Sequence, residues 1–234
     1  MPGRIVGLGF IGKNLRPLLS ILKRKKAIIY AAGISNSKTR SERELRKEIK
    51  YLKEYIKNKL GNNLLIYIST CSLTDNNRNK SAYVRNKSKI EKYISKNSLN
   101  YLIIRLPEVV GKNLNKNTVT NFFLNNIKYK RKFILWKGVK RNILGISEVV
   151  KLIRSSLELN LKNKIINIAN PYFVEPMDIV NNYEKILKKK AFYKIKKIKQ
   201  KRWSIDLRLT KKIINKSKII FKKNYLNEVL RKYL

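Results

Sequence analysis

The sequence predicts an α/β fold, a doubly wound parallel sheet with a smaller C-terminal lobe. Three observations carry that prediction. Short, continuously apolar runs alternate with longer amphipathic patterns, as strands buried on both faces alternate with covering helices. The intervening patterns are too long for hairpin turns, so successive strands run parallel. A glycine triplet, Gly7, Gly9 and Gly12 in the pattern G-x-G-x-x-G, follows the first apolar run and opens the first helical one.

Arg4–Val6 reads as a short strand. Phe10–Arg24 reads as a helix, with Leu15, Leu18, Leu19 and Leu22 on one face and Pro17 placed to kink or shorten it. Ala27–Ala31 is a buried strand. Ser41 and Glu44 form a capping box, after which Leu45, Ile49, Leu52 and Ile56 line a helix that stops at Gly61. Leu64–Ile68 is the next strand, and the polar loop Thr74–Lys80 leads to a helix from about Ala82 to Lys96. Tyr101–Arg105 is another buried strand, closed by Pro107. Helices near Val119–Ile127, Ser147–Leu157 and Met177–Lys189 then alternate with strands Lys132–Trp136 and Ile165–Ala169. An alternating run, Phe192–Ile198, and a helical tail from Lys211 complete the chain. Basic residues become denser after about residue 128. That shift divides the chain into a dinucleotide-binding part, 1–130, and a C-terminal part, 131–234, that includes the smaller lobe.

Composition narrows the chemistry. The chain has 234 residues, 43% of them apolar, enough for a real core. Cys71 is the single cysteine, so no intramolecular disulfide forms, which suits a reducing compartment. Histidine is absent, which excludes Ser-His and Cys-His pairs and histidine-bound zinc. Acid–base chemistry therefore falls to Tyr, Lys or carboxylates. No apolar run is long enough to span a bilayer. Glycines interrupt the apolar stretch after Arg4, and no cleavage site follows, so a cytoplasmic protein is expected.

The formal charge of +42 invites a nucleic-acid reading. Lys, Ile and Asn are abundant together, however, and the charge is spread along the whole length, so compositional bias is the stronger reading. The local exception is Lys185–Arg202, a run without a carboxylate in which Phe192 and Tyr193, with Trp203 just beyond, could stack on bases.

In open α/β sheets ligands sit beyond the carboxyl ends of the strands. Those ends read Gly7-Leu8-Gly9, Ala31-Ala32-Gly33, Ser69-Thr70-Cys71-Ser72 and Arg105-Leu106-Pro107. Small residues at the first two allow close approach, while hydroxyls and a guanidinium converge at the others. Tyr83 and Lys87 follow, four residues apart on one helical face, where an ammonium can favour tyrosinate. Tyr55 with Lys59 and Tyr193 with Lys197 share that spacing. Only Tyr83 with Lys87 comes directly after a strand ending in Ser-Thr.

These segments, in this order, resemble the extended short-chain dehydrogenase/reductases, specifically the NAD-dependent epimerase/dehydratase family acting on nucleotide sugars. Gly9-Phe10-Ile11-Gly12 resembles its G-F-I-G, and Ile29-Tyr30-Ala31-Ala32 its H-x-A-A strand end. Tyr67-Ile68-Ser69-Thr70 is similar to its catalytic Ser/Thr strand, Tyr83 and Lys87 to Y-x-x-x-K, and Arg105–Gly111 to R-x-x-N-V-Y-G. Arg141-Asn142-Ile143, Ser147-Glu148-Val149 and Ile166–Asn170 resemble later family segments.

The resemblance implies a Rossmann-like domain and an NAD or NADP cofactor contacted by Gly7, Gly9, Phe10, Ile11, Gly12, Ala31, Ala32, Gly33, Ser69, Lys87 and Pro107. It implies Tyr83, Lys87 and Thr70 as the catalytic set, and Cys71, Ser72, Arg105 and Glu108 as contacts to a nucleotide-diphosphate sugar. A homodimer is compatible with it. Dehydratases of the family place an Asp-Glu pair where Cys71 and Ser72 stand, which leaves epimerisation or keto-sugar reduction.

The chain also departs from the family. Two strands between the first helix and Ala27–Gly33 are missing, and with them the carboxylate that binds the adenosine ribose. Glu108 replaces a substrate-binding Asn, and Thr70 and Tyr83 are unusually close in sequence. The alternative expectation is a catalytically silent nucleotide-binding or regulatory protein on the same fold.

Overall fold

The protein is described from a computed structural model covering residues 3–37, 39–75, 81–113, 115–199 and 203–234. Most of the polar loop before the Tyr83 helix, and the last three residues of the basic run, lie outside the described residues. A five-stranded parallel sheet forms the centre. Its first strands are β1 (Arg4–Val6), β2 (Ala27–Tyr30), β3 (Leu64–Thr70) and β4 (Tyr101–Leu106), in that spatial order. The fifth position is taken by β8 (Lys164–Asn167). Two short parallel pairs stand outside it: β5 (Glu108–Val110) with β7 (Ile143–Gly145), and β6 (Phe133–Lys137) with β9 (Tyr193–Lys197).

Side-chain alternation along the strands sorts the core into two layers. Ala27, Ile29, Leu64, Ile66, Leu102 and Ile104 face α1 (Phe10–Asn14), α2 (Leu19–Arg24) and α6 (Ile146–Glu158). Ile28, Tyr30, Leu65, Tyr67 and Ile103 face α3 (Glu42–Tyr55) and α4 (Ala82–Asn97). Local signals explain the helix ends. Pro17 sits in a 3-10 turn, Arg16–Leu18, that separates α1 from α2. Ser41 caps α3 by accepting from the Glu44 N–H at 3.3 Å, while the Glu44 carboxylate takes the Thr39 hydroxyl at 2.9 Å. The chain leaves α3 through one π-helical turn, Ile56–Leu60, and ends it at Gly61.

The strand order never reverses, because β1 is an edge. Two nucleotide-binding halves would normally flank the first strand; among the described residues no strand lies beyond it. Steps β1→β2 and β4→β8 travel in the same direction as β2→β3 and β3→β4, yet their helices cover the opposite face. The two pairs of crossovers are therefore of opposite hand, a departure from the right-handed rule that the missing strands impose on the first step.

The chain does not divide cleanly at residue 130. β8, α6 and α8 (Arg208–Ser217) return to the main sheet, with Ile153, Ile166 and Ile213 in its core. The smaller lobe is built from α5 (Val119–Lys128), β6, α7 (Pro176–Leu187), β9 and α9 (Tyr225–Lys232), packed around Phe123, Phe133, Val180 and Leu230. The predicted helical tail is two helices, split between residues 218 and 224. Among the described residues no helix is long and apolar enough to cross a membrane.

Candidate functional site

A cleft of about 720 Å³ opens at the carboxyl ends of β1, β2, β3 and β4. It is lined by Gly7, Gly9, Phe10, Ile11, Ala31, Ala32, Gly33, Ser69, Thr70, Cys71, Ser72, Tyr83, Lys87, Pro107 and Glu108. The structure therefore brings nearly all the sequence-predicted site residues to one place. Two of them lie elsewhere: Gly12 and Arg105 are not part of the wall.

The glycine turn has three separate tasks. Gly7 adopts φ +114°, and a Cβ there would fall 2.5 Å from the Ala31 carbonyl carbon. A Cβ on Gly12 would come 2.1 Å from the Gly7 oxygen, so this glycine lets the helix sit against the turn. A Cβ on Gly9 meets nothing within 4 Å, so its missing side chain leaves open cleft for a ligand. The two substitutions should therefore separate. Gly12→Ala is expected to lower unfolding free energy by about 1–3 kcal/mol, the usual range for overpacking. Gly9→Ala should leave the melting temperature unchanged and weaken any ligand whose phosphates lie on the turn. Calorimetry and ligand titration on both variants check this, and equal effects on folding would contradict the assignment.

Lys87 is buried, and its ammonium is held from two sides. Nζ donates to Glu48 Oε1 at 2.7 Å and to the Tyr67 hydroxyl at 2.9 Å. Tyr67 in turn donates to Glu48 Oε1 at 3.1 Å, and Asn86 Nδ2 to Glu48 Oε2 at 3.1 Å. Gly33 roofs this cluster: a Cβ there would stand 2.5 Å from Lys87 Nζ and 2.7 Å from Glu48 Oε1. Burial works against the ammonium, but the Tyr67 and Tyr83 oxygens and Glu48 outweigh it and hold its pKa above the ordinary lysine value. Burial also pushes the Tyr67 hydroxyl far up, so it is a fixed hydrogen-bonding group rather than a proton carrier. Tyr30, on the same face, is raised to about 12, by burial first and then by Glu48.

Among the described residues Lys87 uses two of its three ammonium donors, on Glu48 and Tyr67, and it lines the cleft. Its Nζ lies 5.7 Å from the Tyr83 ring centroid. The Tyr83 hydroxyl has no hydrogen-bond partner among the described residues, and the side chain lines the cleft. Thr70 Oγ1 accepts from the Ser72 N–H at 3.1 Å, which leaves its own O–H to donate outward.

Several predicted contacts are turned inward instead. Arg105, expected to touch substrate, makes a bidentate pair with the buried Glu91, Nε at 3.0 Å and a terminal nitrogen at 2.6 Å. The Ser69 hydroxyl completes that pair at 2.5 Å from Glu91 Oε1. Cys71 directs its thiol to the Arg105 carbonyl at 3.3 Å, and burial pushes its pKa far up, so it is not a reactive group. Glu108 accepts the Val119 N–H at the start of α5. Trp203, a candidate for base stacking, packs edge-on against Phe173 and donates to Thr74 Oγ1 at 3.0 Å, in the cleft wall. Tyr193 packs on Phe133 inside the smaller lobe.

Sequence reasoning missed Glu48, Tyr67, Asn86 and Glu91. Glu48 lies three residues after Leu45 and four before Leu52, inside the apolar stripe of α3, and Glu91 lies four after Lys87 on the buried face of α4. A carboxylate within an apolar stripe was the available signal.

No family model matches the sequence, and no curated protein matches it. Solved structures match over most of the chain. RMD from Pseudomonas aeruginosa, complexed with NADPH, is similar at a TM-score of 0.74 and 13% identity, covering 98% of this chain and 96% of that one. UDP-N-acetylglucosamine 4-epimerase from Methanobrevibacter ruminantium, in complex with UDP-N-acetylmuramic acid, gives 0.72 at 16%, covering 99% and 96%. dTDP-glucose 4,6-dehydratase from Bacillus anthracis, in complex with NAD, gives 0.67 at 15%, covering 95% and 77%. At these identities the likeness shows the fold, a Rossmann-like α/β sheet with flanking helices.

Proposed function

We propose that this chain is a nicotinamide-dependent enzyme acting on a nucleotide-diphosphate sugar, as an epimerase or a keto-sugar reductase. One observation carries the reading: the glycine turn, Thr70, Tyr83 and Lys87 line a single cleft beyond the strand ends. The similar structures bind NAD, NADPH or uridine-diphosphate sugars, which supports the same ligand class here. The open space at Gly9 fits the pyrophosphate of a dinucleotide laid on the turn. When bound, the nicotinamide supplies the hydride chemistry.

In this reading Tyr83 gives or takes the proton of a sugar hydroxyl from its free phenolic oxygen. Thr70 donates to the same oxygen and fixes its orientation, and the remaining N–H of Lys87 holds the ribose. The two residues directly after Thr70 are Cys71 and Ser72 rather than carboxylates, and the Cys71 thiol is occupied, so elimination has no base at those positions. That favours epimerisation or reduction over dehydration.

A second reading has its own support. Among the described residues the sheet ends at β1, with no strand beyond it for the adenosine half, and Glu48 neutralises the ammonium that a tyrosinate would use. Both favour a silent nucleotide-binding relative. Titration with NAD(H), NADP(H) and UDP-, GDP- and dTDP-sugars, followed by turnover assays on those that bind, decides between them. Cofactor-dependent turnover supports the enzyme; saturable binding with no turnover of any sugar supports the silent relative.

A further inference from the structure

The smaller lobe carries an uncovered sheet face, none of whose residues lines the cleft. β6 and β9 pair in parallel, with Ile134 opposite Lys194 and Trp136 opposite Lys196. Alternation turns Phe133, Leu135 and Tyr193 toward the lobe core and leaves Ile134, Trp136, Lys194 and Lys196 outside. One step earlier, Lys132 and Phe192 extend the same outer face, joined by the Phe133 N–H to the Phe192 carbonyl at 3.1 Å. Ile134 is 56% exposed, Trp136 46% and Phe192 47%.

Lysines on an unpaired edge also discourage strand addition, and that alone would explain them. It does not explain two large aromatics left in water beside them. Nor is the local charge merely the chain average: no carboxylate occurs between Glu108 and Glu148 or between Glu184 and Asp206, the segments that contain both strands.

We propose that this face binds single-stranded nucleic acid. Bases stack on Trp136 and Phe192, and phosphates meet Lys132, Lys194 and Lys196. The two rings lie on opposite strands and four residues apart, about 13 Å along the ribbon, so separate bases of one unstacked strand reach them. An anionic membrane fits less well. A bilayer takes apolar groups gathered on one side with lysines around them, whereas here each row across the ribbon pairs an apolar side chain with a lysine. Sinking Trp136 into lipid would drag Lys196 with it.

The test measures binding of a labelled uridine oligomer over a salt series, and of vesicles of phosphatidylcholine with phosphatidylserine. The wild-type chain is compared with Trp136→Ala/Phe192→Ala and with Lys132→Gln/Lys194→Gln/Lys196→Gln, each shown to be folded by circular dichroism. Losing both stacking rings should weaken oligomer binding by on the order of 100-fold, at about tenfold per ring, without changing the salt slope. The lysine variant should reduce that slope by about 2. Failure of the wild type to bind the oligomer, or equal binding by the aromatic variant, overturns the proposal, the latter meaning diffuse attraction to a basic chain. Aromatic-dependent binding of vesicles without binding of the oligomer overturns it in favour of a membrane.

Discussion

Tyr83→Phe is expected to lower turnover of a nucleotide sugar by about 10²–10⁴-fold, the usual contribution of a positioned acid or base. Affinity for the dinucleotide and the melting temperature should stay where they are. The separation follows from the geometry. The Tyr83 hydroxyl has no partner among the described residues, so its removal breaks no bond that holds the fold. The ring itself packs in the cleft wall near Lys87 and survives as Phe. Thr70→Val should act on the same step, because the Thr70 O–H is free to donate while its oxygen holds the Ser72 N–H. Steady-state rates with the cofactor saturating, together with calorimetric melting, measure both effects. Undiminished turnover in Tyr83→Phe would falsify the assignment of the proton to this phenol, whatever else the cleft binds.

The sheet was legible because its strands are buried on both faces and therefore read as unbroken apolar runs. β2 and β4 lie within a residue of the predicted bounds, and β3 runs two residues further, to Thr70. The glycine triplet was legible because its spacing follows an apolar run and opens a helix, and the Cβ positions give Gly7 and Gly12 distinct steric reasons to lack a side chain. β5 and β7, three residues each, escaped prediction, since so short a pair carries no periodicity and depends on its partner for existence. Arg105 shows where the reading failed. Its place at a strand end suggested a ligand contact, but its partner Glu91 comes from a helix, and long-range ion pairs leave no spacing in a sequence. The missing half of the sheet, by contrast, was visible as a shortfall in length between the first helix and Ala27.

Glu48→Ala should lower unfolding free energy by about 3–5 kcal/mol, the usual loss when one member of a buried ion pair is removed. At this chain length that corresponds to a fall in melting temperature of roughly 6–20 °C. Lys87 and Glu48 are 3% and 2% exposed at their side chains, so no water replaces the lost carboxylate. The same substitution also orphans the Tyr67 hydroxyl and the Asn86 amide. Glu48→Gln keeps an acceptor but not the charge, and should fall between the two. Replacing both partners, Glu48→Ala with Lys87→Met, should recover part of the loss, because no buried charge then remains. The raised Lys87 pKa fixes the pH window: its contribution is complete below the unfolded lysine value of about 10.4 and fades as pH rises through the folded value. Wild-type stability should therefore stay flat with respect to this lysine from neutral pH to about 10 and fall only beyond it. Denaturant unfolding of wild type, Glu48→Ala, Lys87→Met and the double variant forms a double-mutant cycle. A Glu48→Ala loss within about 0.5 kcal/mol of zero, the level of an ordinary surface change, would mean that the pair is solvated and that Lys87 is free to turn wholly toward a ligand.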